Sequence, residues 1–162
     1  MLARQFWLRA GCRSFRRMST SPIDQQQRLA LRIGGRVYVN PKKFELGLDG
    51  EDSFFTHEPQ NGDNVTHQSF GVADGVGDWV FIRGIDSAQY SRQLMAQSKK
   101  IFQQNPESAP SDVLRQSYDK IQELDTAGSS TICLANFSCE TARLSVANLV
   151  RMRHCLPACL PP

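Results

Sequence analysis

The residues best suited to chemistry in this 162-residue chain are acids set beside glycines. Phe70–Trp79 reads F-G-V-A-D-G-V-G-D-W. Ser69–Ala73 has the pattern of a short strand, with Phe70 and Val72 on one face, and Asp74-Gly75 stops it abruptly. A carboxylate where a strand ends, next to a glycine that lets backbone come close, offers two oxygen donors from one turn. Hard cations such as Mg2+ and Mn2+ take oxygen ligands of this kind. An isolated Asp-Gly pair also simply turns a hairpin, so its neighbours matter. Upstream, Gly50–Phe55 (G-E-D-S-F-F) carries the acidic pair Glu51-Asp52, and downstream Gly128–Thr131 (G-S-S-T) runs into I-C-L-A. Asp49 and Asp78 read as loop residues. An EF-hand is excluded, because the Asp74 region lacks the alternating oxygen ligands and the closing glutamate.

Positioning these groups falls to two hairpins and two helices. Asp52–Thr56 and Val65–Ala73 read as strands separated by a polar loop that holds Pro59 and Asn61-Gly62. Paired as a hairpin, they bring the end carrying Glu51-Asp52 next to the end carrying Asp74-Gly75. Asp86–Gln103 has the strongest helical period, with Asp86 or Ser87 as cap. Its stripe is Tyr90, Leu94, Gln97 or Ser98, and Ile101, widened by Met95 and Phe102. A second helix is expected from Ser111, as cap, to Leu124, facing inward through Val113, Leu114, Ser117, Ile121 and Leu124. Ser130–Phe137 and Arg143–Leu149 form the second hairpin. Val37–Val39 reads as a short strand, Pro22–Arg36 as a linker, Phe44–Gly50 as irregular and Lys42-Lys43 as a solvated pair. The sum is an α+β domain, helices packed on an antiparallel sheet.

The net charge of +3 is unevenly spread. The first 22 residues hold five arginines and no acid; the remainder has 14 basic and 16 acidic residues, which gives no reason to expect nucleic acid as a partner. Residues 1–22 read as a mitochondrial targeting peptide and cleavage region, Arg-rich and ending in Ser/Thr, which implies delivery to the matrix. On a helical wheel Arg9, Arg13 and Arg16 share a face roughly opposite Trp7, Leu8 and Phe15. No apolar run is long enough for stable membrane insertion. The five cysteines are odd in number and contain no C-x-x-C, which argues against a disulfide framework. His57, His67 and His154 lack ligand spacing and read as surface or loop residues.

G-E-D-S, V-A-D-G-V-G-D-W with the following G-I-D-S-A-Q-Y-S, and G-S-S-T, in this order, resemble the protein phosphatase type 2C family, and within it the mitochondrial PTC-seven-homologue branch. The likeness runs from about Phe44 to Leu149. It implies the N-terminal part of a four-layer α-β-β-α sandwich over residues 23–149, with phosphoproteins as substrates. The implied reaction is hydrolysis of phosphoserine or phosphothreonine by water activated between two Mg2+ or Mn2+ ions about 3.5–4 Å apart. Transferred to this sequence, Asp74 bridges both ions, the Gly75 carbonyl and Glu51 bind on one side directly or through water, and Asp52 orients water or its neighbour. Beyond the metal-activated water no catalytic residue is implied. The hydroxyls of G-S-S-T take a structural place on a core strand.

The resemblance stops after Leu149. Where the family continues with G-D-S-G, this chain has Val150-Arg151-Met152-Arg153 and then H-C-L-P-A-C-L-P-P, which shows no strand period. Residues 150–162 read as a non-family tail, as if the chain were truncated or frame-shifted there. A zinc site of His154, Cys155 and Cys159 lacks the usual spacing. Two further family aspartates have no counterpart here. The phosphate-holding arginine four positions before the acidic pair is replaced by Gly47. The alternative to an active phosphatase is therefore an inactive form that serves as a binding or regulatory module, or a non-functional fragment.

Overall fold

A computed structural model describes residues 7–11, 29–39, 41–45, 50–58, 65–77 and 85–154. The elements are β1 (Trp7–Gly11), β2 (Ala30–Gly34), α1 (Pro41–Glu45), β3 (Asp52–His57), β4 (His67–Gly75), α2 (Ser87–Gln104), α3 (Pro110–Glu123), β5 (Gly128–Ser138) and β6 (Arg143–His154). β3-β4-β5-β6 form one antiparallel sheet in sequence order, and β1-β2 pair separately. This α+β architecture is the class expected from the sequence.

Strand alternation sorts the large sheet into two faces. Phe55, Ala73, Ile132, Leu134 and Met152 lie on the face covered by the helices, where they join Tyr90, Leu94, Met95 and Phe102 of α2 and Val113 and Ile121 of α3 in one core. The rings of Phe55 and Phe102 pack with centroids 6.2 Å apart. Close approach of the helices is met by small polar residues: the hydroxyls of buried Ser98 and Ser117 lie 2.9 Å apart, each also within reach of the carbonyl one turn back. The opposite face carries the cross-strand row Phe54, Val72, Cys133 and Asn148, with Val146 paired to Ala135 on the same face, and Val72 and Val146 are exposed.

The α2 reading holds in detail. Asp86 accepts a hydrogen bond from the Ala88 amide at 2.9 Å, and the expected stripe is the buried one. Helix α3 begins earlier than Ser111, because Pro110 occupies its first turn after an uncapped Ala109. Proline loses nothing there, since those amides have no partner within the helix. Leu124, expected inward, is exposed beyond the last turn of α3.

Several expectations are overturned. Val37–Val39 is not a strand; Ala30–Gly34, read as linker, is. It is anchored by Gln68, whose Oε1 accepts from the Leu31 amide at 2.6 Å and whose Nε2 donates to the Leu31 carbonyl at 2.9 Å. Trp7–Gly11 is extended and pairs with β2, where the leader was read as an amphipathic helix. Pairing with β2 gives its backbone groups partners that an isolated five-residue helix would leave largely unmet. β6 runs on to His154, past Leu149, because Met152 reaches the core opposite Ser130 across an irregularity in the β5–β6 register at Ser130/Ile132. Cys155 and Cys159 lie outside the described residues. All three histidines stand in strands rather than loops.

One of those histidines carries a pH dependence. Burial, and secondarily the charge of Lys99, lower the pKa of His57. Its folded value therefore lies below the ordinary 6.5 that the unfolded chain keeps. The stability present above that value is lost as acidification protonates the unfolded chain first. Urea midpoints at pH about 7.5 and about 5.5 should fall with acid in the native chain, and His57→Asn should flatten that decline.

Candidate functional site

The hairpin of β3 and β4 brings the acids together as their spacing requires. Asp52 and Asp74 are direct cross-strand partners, and cross-strand partners share a face with Cβ atoms about 4.5–5.5 Å apart. That face is the one turned away from the helices. Thr131 of β5 stands next in line, opposite Asp74, and its Oγ1 accepts from the Asp74 amide at 3.3 Å. Thus Asp52, Asp74 and Thr131 form a row across three strands at the end of the sheet.

Glu51 sits at the entrance to β3. Its carbonyl accepts from the Gly75 amide at 3.2 Å and from the Ser91 hydroxyl of α2, so its backbone is tied both to the Asp-Gly turn and to the helix. Its carboxylate forms an ion pair with Lys43 of α1. Both side chains are largely shielded, 22% exposed for Lys43 and 17% for Glu51. Lys43 is thus not the solvated residue expected from the sequence. Gly77 packs against this pair: a Cβ there would lie 2.4 Å from Glu51 Oε1 and 2.6 Å from Lys43 Nζ. The atoms in the way are the ends of two flexible side chains, so a substitution there would displace the pair rather than break the backbone.

G-S-S-T closes the site from the other side. Gly75 is in register with Ser130, and the Val76 amide donates to the Ser129 carbonyl at 3.0 Å. Ser129 and Ser130 are buried, and the Ser130 hydroxyl donates to the Thr131 carbonyl. They brace the turn, the structural place expected for them. Cys133, on the same strand, is a free thiol whose pKa burial raises, a poor nucleophile at neutral pH.

The donor set is carboxylate and carbonyl oxygen, which suits Mg2+ or Mn2+ in kind. The Lys43 ammonium already neutralises the Glu51 carboxylate. Among the described residues no three His, Cys, Asp or Glu side chains converge as a complete ligand set. The sequence reading missed Lys43 and Thr131. Lys43 is separated from Glu51 by residues whose sequence shows no period, whereas the T of G-S-S-T could have been placed once the β4–β5 register was assumed.

The chain is similar to several curated proteins. It is 37% identical over 112 residues to "Probable protein phosphatase 2C 71" of rice, 67% of this chain and 21% of that protein. It is 36% identical over 104 residues to "Protein phosphatase PTC7 homolog fig" of Drosophila grimshawi, 62% of this chain and 32% of the relative. "Probable protein phosphatase 2C 55" of Arabidopsis thaliana is 35% identical over 105 residues, 63% of this chain and 20% of the relative. The chain thus spans between about a fifth and a third of the length of these curated relatives. No family model and no solved structure matches it.

Proposed function

Since the chain belongs to the protein phosphatase 2C family, whose PTC7 branch is among its relatives, we propose that it carries the N-terminal part of a metal-dependent protein serine/threonine phosphatase domain, with phosphoproteins as substrates. The observation that carries this reading is the direct pairing of Asp52 with Asp74 at the end of the β3–β4 hairpin, beside Gly75 and Glu51. Asp74 and the Gly75 carbonyl would hold a divalent cation, with Glu51 on the β3 side and Asp52 orienting Asp74 or water. When bound, Mg2+ or Mn2+ would supply an acidified water and charge neutralisation at the phosphoryl oxygens. The protein's own contribution is placement. Two hydrogen bonds to its carbonyl, from the Gly75 amide and the Ser91 hydroxyl, fix Glu51, the Thr131 hydroxyl accepts from the Asp74 amide, and the buried serines of β5 lie behind the turn.

The finer fold follows in the same terms. The exposed Val72, Leu144 and Val146 leave an apolar patch that could take a second sheet, which would complete the four-layer sandwich and enclose the acid row. Residues 1–22 direct the protein to the mitochondrial matrix. Among the described residues no helix is long and apolar enough to cross a membrane.

A second reading, a binding or regulatory module without turnover, is favoured by one observation: Glu51 is already neutralised by Lys43. One assay separates the two. Residues 23–162, given Mn2+ and a phosphoserine peptide, release phosphate above the metal-free blank under the first reading. No release, with the peptide still bound, supports the second.

A further inference from the structure

The acid row is not the only charge at this end of the sheet. Lys43 reaches Glu51 from α1, and its ammonium is the cation that the described structure places against a candidate metal ligand. The backbone of Glu51 is held by Gly75 and Ser91, so only its carboxylate can change partner. Gly77 lies against both charged groups, so a side chain added there would push on the pair. A divalent ion that takes the Glu51 carboxylate must therefore part it from the ammonium. It must also tolerate a positive charge a few ångströms away, and at such range in a partly shielded site like charges repel appreciably.

We propose that Lys43 is a built-in competitor for the metal: it stabilises the acidic strand ends while no divalent ion is present, is displaced when one binds, and so sets the affinity of the site. This rests on the metal-site reading of Glu51 and Asp74 given above. Two effects act in the same direction. Removing the ammonium removes both a competing partner of Glu51 and a like charge beside the incoming ion. The metal-free protein, in contrast, loses stability, because a shielded carboxylate is left without its counter-charge.

The test is Mn2+ binding, followed calorimetrically and by thermal unfolding in EDTA and in Mn2+, on the full chain and its variants. Lys43→Met should bind Mn2+ at least about fivefold more tightly than the native chain, the scale of losing one partly shielded ion pair. In EDTA its unfolding midpoint should fall by about 3 °C. Lys43→Arg, which keeps the charge, should bind close to the native chain. Lys43→Gln removes the charge but can still donate to Glu51, so it reports on affinity even where the methionine variant folds poorly, and it should also bind more tightly. Unchanged or weaker Mn2+ binding by Lys43→Gln overturns the proposal. If the native chain still binds Mn2+ and Asp74→Ala does not, the metal site itself stands. Failure of every variant to bind Mn2+ overturns both readings.

Discussion

Asp74→Ala removes Mn2+-dependent phosphate release, by at least about 100-fold, the scale expected when a ligand that orders an activated water is lost. The substitution sits where β4 ends, on the face away from the helical core, so the sheet itself should survive it. The Asp74 amide keeps its bond to Thr131, because only the side chain is shortened. Far-ultraviolet circular dichroism should therefore match the native chain while turnover vanishes. Asp74→Asn is the sharper comparison: it keeps size and hydrogen bonding but gives up the charge, and it should be nearly as inactive. Residual turnover within threefold of native in either variant would remove Asp74 from the metal site.

The second large effect concerns folding. Gly128 has φ +148°, and a Cβ placed there would lie 2.6 Å from Tyr90 Cβ and 3.0 Å from Cγ. Neither atom is the flexible end of a side chain, and Tyr90 is fully buried in α2. Gly128→Ala therefore combines backbone strain with overpacking, together about 3 kcal/mol or more. Thermal unfolding should show a midpoint lower by roughly 6–12 °C. Because Gly128 opens the strand that braces the Asp-Gly turn, activity should fall with it even at temperatures where the sheet remains folded. A shift below about 2 °C would mean that β5 enters the sheet by another path.

What the sequence made legible was local or strongly periodic. Asp86 caps α2 because its carboxylate reaches an amide two residues away, and a cap of that kind is written in adjacent residues. The β3–β4 pairing followed from two strands of matching pattern with turn residues between them, which brought the end carrying Glu51-Asp52 near the end carrying Asp74-Gly75; the direct Asp52–Asp74 register came only with the sheet. The candidate site was readable to the same extent, as far as the hairpin carries it.

What stayed hidden depends on contacts across long stretches of chain. β2 owes its place to Gln68, which satisfies both backbone groups of Leu31 from 37 residues away. Nothing in Ala30–Gly34 announces that partner. Arginines spaced along the first residues favour a helical wheel, but Trp7–Gly11 is extended, and its pairing with β2 is non-local. The continuation of β6 turns on Met152 alone, an apolar residue between two arginines whose burial opposite Ser130 only the sheet reveals. Lys43 illustrates the same limit at the site. A lysine pair before an irregular stretch has no sequence mark that distinguishes a solvated ammonium from one shielded against Glu51.

Paramagnetic broadening by Mn2+ in an amide nuclear magnetic resonance spectrum tests the metal centre most directly, because it locates the ion without requiring turnover. At substoichiometric Mn2+ the amides of Glu51, Asp52, Asp74, Gly75 and Thr131 should disappear first, those of α3 should persist, and Asp74→Ala should abolish the pattern. Broadening centred elsewhere, or none that saturates at millimolar Mn2+, would show that the paired strand ends do not hold a divalent ion.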